Sequence, residues 1–91
     1  MNTKAAKQVL QQKLQELRRI SYSEAVEWQH RQITESVVGP DGTRYQIEIQ
    51  VFRDGPGSDD LRLIVSVDDA GWSALKPLTG DVIISGSSKE Q

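Results

Sequence analysis

Carboxylates are where this sequence comes closest to reactive chemistry. Asp68 and Asp69 stand side by side at the end of an alternating apolar segment and run into Ala70-Gly71-Trp72, with Lys76 beyond. Paired carboxylates can bind a hard cation or share acid and base work. Loops at strand ends often carry function. Asp68, Asp69, Trp72 and Lys76 therefore form the candidate ligand or partner loop. The competing reading is turn chemistry, since aspartate bonds its own backbone in turns. Neighbouring residues of an extended chain also point to opposite sides, so the two carboxylates need not converge. Trp72, with Leu75, Pro77 and Leu78, reads as a plug over one end of the core before it reads as a binding surface.

Other candidates carry less. Asp54, Asp59 and Asp60 share one Gly/Pro loop. Their spacing lacks the alternating ligands and closing glutamate of an EF-hand, and a solvated hairpin loop is the simpler reading. His30 is the only histidine and cysteine is absent. That removes thiol nucleophiles, thiolate zinc sites, disulfides and two-histidine metal motifs. A histidine near a helix end is electrostatically comfortable there without any catalytic duty. No Gly-x-Ser-x-Gly elbow occurs, and Gly55-Pro56-Gly57 lacks the lysine of a phosphate loop. Carboxylates, hydroxyls and surface shape are left as working parts. No residue is assigned a catalytic, metal-ligating or cofactor-binding role, and no cofactor is implied.

The elements that must position these residues come from a chain of 91 residues, 36% of them hydrophobic. One domain with one small core is what that length supports. Ala6, Val9, Leu10, Leu14 and Leu17 recur at spacings of three and four and predict a helix over residues 4–20. Ser21, followed by Glu24 at capping-box spacing, predicts a second, short helix ending near Gln29. Ile33, Glu35 and Val37 then alternate with Thr34, Ser36 and Val38, a first strand. Gly39-Pro40-Asp41-Gly42 supplies a turn with a left-handed position. Tyr45, Ile47, Ile49 and Val51 alternate with Gln46, Glu48 and Gln50, and Leu61, Leu63, Val65 and Val67 repeat the pattern. Ser73 to Thr79 reads as irregular or one helical turn broken by Pro77, and Asp81 to Ile84 as a short fourth strand.

The expected fold is α+β: an N-terminal helix and a short second helix on one face of a three- to four-stranded antiparallel meander. Residues 1–85 form the domain, and 86–91 a polar, disordered tail. No apolar run reaches the ~20 residues of a membrane span, and the N-terminus lacks the apolar stretch of a signal peptide. The expectation is a cytoplasmic protein with no membrane partner.

Charge is divided unevenly. Residues 1–31 hold six basic side chains against three acidic, a balance of +3, and residues 32–91 hold five against ten, a balance of −5. A basic helix with Lys4, Lys7, Arg18 and Arg19 could meet phosphates. Nucleic-acid binders are normally basic throughout, and the acidic sheet half would repel a duplex, so a solvated helix face is the plainer reading. An opposite-charge match between two copies is a third possibility.

The stretch from Gly39 to Phe52, with Val65 to Trp72 and Lys76-Pro77-Leu78, resembles small uncharacterised bacterial α+β proteins. The resemblance implies a compact α+β unit and a bacterial setting. It brings no activity, ligand or catalytic residue with it. The leading expectation is a non-enzymatic protein-interaction module, self-associating or binding a partner through a sheet edge or a sheet face. Phe52 and Ile64, apolar residues on the solvated side of their strands, are the candidate interface. The alternatives are a small ligand- or metal-binding enzyme at Asp68, Asp69 and Trp72, and a weak nucleic-acid binder through the basic helix.

Overall fold

A computed structural model describes residues 3–69 and 77–87. Helix α1 spans Thr3–Leu17 and buries Ala5, Ala6, Val9, Leu10, Leu14 and Leu17 along one stripe. It stops before Ile20 because the chain tightens: Arg19 N–H bonds Glu16 O at 3.1 Å and Ile20 N–H bonds Leu17 O at 3.3 Å. Three-residue bonds of this kind satisfy the last carbonyls of a helix. Helix α2 spans Tyr22–Trp28, and the Ser21 hydroxyl caps it by accepting the Glu24 N–H at 3.1 Å. Glu24 in the first turn also complements the helix dipole.

Four strands follow: β1 Ile33–Val38, β2 Arg44–Arg53, β3 Leu61–Asp69 and β4 Leu78–Ile84. They form one antiparallel sheet in the order β1-β2-β3-β4. Pro40 and Asp41 occupy the turn between β1 and β2, closed by Gly42 N–H to Gly39 O at 3.0 Å. Gly42 takes φ 81°, the left-handed geometry expected there.

Strand β4 begins at Leu78, paired with Val67, so Leu78 and Thr79 are strand and not irregular chain. Pro77 lies just outside, where its missing N–H breaks no ladder bond. Gly80 hid this strand from a propensity reading. It sits close beneath α1: a Cβ there would meet Leu14 Cδ1 at 2.9 Å.

One sheet face carries Tyr45, Ile47, Ile49, Val51, Leu61, Leu63, Val65, Val67, Val82 and Ile84, and all are buried beneath the helices. Helix α1 lies over β3 and β4, and α2 reaches β2. Ile20, Tyr22 and Trp28 pack against the rim of this core. The Tyr22 hydroxyl donates to Asp59 O, fastening α2 to the β2–β3 loop. Beyond β4, the Gly86 N–H donates to Asp60 Oδ1 at 2.6 Å. The rest of the expected tail, 88–91, lies outside the described residues. Among the described residues, no helix is long and apolar enough to cross a membrane.

Candidate functional site

Strand β3 runs through both Asp68 and Asp69, so its pleat separates them. Asp68 stands opposite Gln46 on the helix-free face, and Asp69 opposite Tyr45 on the core face. The pair does not converge on one ligand. Trp72 and Lys76 lie outside the described residues, as do Leu75 and the turn after Asp69. The Asp54–Asp60 loop spends its polar groups internally. Asp54 holds Arg62 at 2.9 Å, Asp54 N–H bonds Asp60 O at 2.8 Å, and Asp60 takes the Gly86 N–H. Among the described residues, no three histidine or carboxylate side chains gather as a metal site. His30 is exposed after α2.

Asp41 is a heavily engaged carboxylate. Its Oδ1 accepts the Thr43 N–H at 3.1 Å, and its Oδ2 accepts the Thr43 and Tyr45 hydroxyls, each at 2.9 Å. Desolvation pushes its pKa up, but these hydrogen bonds together outweigh it and hold the group below the ordinary aspartate value. Tyr45 is shifted the other way, raised by desolvation and by the Asp41 charge it bonds. The cluster is structural: it locks the β1–β2 turn onto a buried ring.

The helix-free face holds a small apolar group. Phe52, Arg62 and Ile83 form one cross-strand row, and Gln50, Ile64 and Asp81 the next. Phe52 is 49% exposed, Ile83 48%, and Ile64 half-buried. Arg62 sits among them, held by Asp54 and Asp81. The expected pair Phe52 and Ile64 therefore share one patch. Ile83 belongs to it too, which a strand of unknown register could not reveal.

The remaining feature is the β1 edge. No strand pairs with its outer side among the described residues. Gly39 N–H bonds Thr43 O at 2.8 Å, so position 39 bonds inward to β2. Antiparallel ladders alternate bonded and non-bonded positions. Counting back along the β1–β2 register, Val37, Glu35 and Ile33 also bond inward, and Thr34, Ser36 and Val38 turn N–H and C=O outward. The strand runs in unbroken register and contains no lysine, proline or bulge; of the usual protections of an edge it has only an inward-pointing charge. Its one charge, Glu35, lies on the core face and pairs with Lys13 of α1, which also holds Glu16 at 2.8 Å. Partial burial pushes the Lys13 pKa down, but the two glutamates override this and hold it above the ordinary lysine value.

Because α1 lies over β3 and β4, a groove of about 560 Å³ opens between α1 and β1. Val9, Lys13, Val37, Val38, Pro40 and Ile47 line it. Val38 is 63% exposed. The sequence marks β1 as a strand, but its edge position and the groove depend on where α1 lands. Comparison with family models, curated proteins and solved structures finds no match to this chain.

Proposed function

We propose that this protein is a protein-interaction module that takes an extended segment as an added strand along β1. The observation that carries the reading is the row of outward backbone groups at Thr34, Ser36 and Val38 beside the α1–β1 groove. Strand addition draws affinity from main-chain hydrogen bonds and specificity from pockets for alternate side chains. The edge supplies the first, and Val9, Val37 and Ile47 in the groove supply the second. The opposite edge, β4, is less suited: α1 passes over it, and Gly80 and the Arg62-paired Asp81 interrupt it. The setting we propose is bacterial and cytoplasmic, and the role non-enzymatic.

The test is selection of a displayed random-peptide library on the protein, with Ser36→Pro as the counter-target. Proline at position 36 removes an outward donor and leaves the β1–β2 ladder bonds in place. Selected peptides should lose binding to S36P and should slow hydrogen exchange at Thr34, Ser36 and Val38. A selection without binders, or with binders indifferent to S36P, overturns edge addition. Binders lost instead on Phe52→Ser would move the interface to the helix-free face, the second reading, which the Phe52–Ile64–Ile83 cluster favours.

A further inference from the structure

Resting on the edge-addition reading, we infer that the segment β1 receives is β1 of a second copy, antiparallel about a twofold axis at Ser36. Register selects this arrangement. Two copies that keep their helices on the same side must set core-facing residues opposite core-facing ones, since facing residues in a ladder share a side. The outward groups of Thr34, Ser36 and Val38 must also face one another for bonds to form. Registers centred on Glu35, Ser36 or Val37 satisfy both conditions.

A Glu35-centred register sets the two Glu35 carboxylates directly opposite, and like charges facing across strands are destabilising. A Val37-centred register pairs only Ser36 to Val38 within β1 and leaves Thr34 outside. The Ser36-centred register has neither defect. Ser36 faces its twin, Thr34 faces Val38, and Glu35 faces Val37. Thr34 to Val38 pair within β1, only Ile33 falls outside, and no like charges stand directly opposite. The exposed Val38 is covered by a threonine methyl, a favourable β-branched contact. Lys13 is shared between Glu35 and Glu16, so each Glu35 keeps enough charge to disfavour the register that sets the two directly opposite. β1 thus carries its own complement: a polar centre flanked symmetrically by threonine and valine.

The cysteine-free chain makes the test direct. In the Ser36-centred register, Ser36→Cys places two thiols on facing residues about 5.5 Å apart at Cα, within disulfide range. Thr34→Cys places its thiols four positions apart along the pair, about 14 Å at ~3.4 Å per residue, beyond that range. Mild oxidation should convert S36C, and not T34C, to a disulfide dimer. Light scattering of the unmodified protein at rising concentration should show a mass approaching double the 10.2 kDa of one chain. Ser36→Lys, which sets two ammonium groups face to face, should return it to 10.2 kDa with an unchanged circular dichroism spectrum. Ser36→Pro should do the same.

Crosslinking through T34C but not S36C overturns the register. A dimer that survives S36K and S36P overturns β1 as its seat. A monomer at every concentration overturns self-pairing altogether. The peptide selection is read separately, and S36P-sensitive binders from a monomeric protein would leave edge addition standing with a different occupant.

Discussion

At the residue scale the chain is governed by a few polar groups whose partners lie nearby. Asp41 is one. Its folded pKa is depressed, so its contribution to stability is present above the unfolded value and is lost as pH falls through the folded one. Thermal melts taken downward from the ordinary aspartate value of 3.8 should show this loss, and D41N should flatten that limb of the profile. An unchanged acid limb in D41N would assign acid sensitivity to other carboxylates. Tyr45 works at the opposite end: its raised pKa gives stability that is present below 10.0 and lost as pH rises through the folded value. Three of the described glycines, Gly39, Gly80 and Gly86, sit in close approach to a neighbour, and the first two differ in what they meet. A Cβ at Gly39 would stand 2.5 Å from Cε2 of the buried Tyr45 ring, whereas one at Gly80 meets only the movable end of Leu14. Urea melts should therefore find G39A destabilised by about 3 kcal/mol and G80A by about 1 kcal/mol. Equal losses would mean that the ring yields as easily as the leucine.

Among the elements, α1 has the largest consequence for function. Its stripe, with Leu10 and Leu14 against Gly80 of β4, covers the β3–β4 side of the sheet, and that choice exposes the flank of β1. Leu14→Ala should reduce unfolding free energy by about 2–5 kcal/mol, as buried leucine truncations do. Ser21→Ala should remove about 1 kcal/mol by uncapping α2. Chemical denaturation measures both, and a loss at Ser21 as large as that at Leu14 would contradict a simple cap. Much of this was legible in the sequence. The helical stripe, the Ser21 cap, the Gly42 turn and the alternations of β2 and β3 all follow from local patterns. The start of β4 did not, because Gly80 and Pro77 read as breakers when their packing and edge context are unknown.

For the whole molecule, the division of charge between a +3 helical part and a −5 sheet part offers a competing route to association. Helix of one copy against sheet loops of another would be driven by charge. Pairing along β1 is driven by backbone bonds and valine contacts. Raising salt from about 0.1 M to about 1 M shortens the Debye length from about 10 Å to about 3 Å. Sedimentation equilibrium across that range should find the β1 dimer nearly unaffected. A dimer that dissociates steeply with salt would belong to the charge-driven route.

What the sequence determined by itself is the set of elements and their inward faces, because helix and strand periodicities are local and each residue type carries its preference with it. It also determined that thiol and two-histidine chemistry are absent. Only tertiary structure decided which faces and edges stay uncovered. Asp68 and Asp69 are neighbours in sequence and are parted by the pleat of β3. Phe52, Ile64 and Ile83 lie on three strands and are joined by register. Lys13 and Glu35 meet because α1 crosses the sheet where it does. Each of these depends on contacts between segments distant in sequence, and no local pattern encodes the register or the docking angle that makes them.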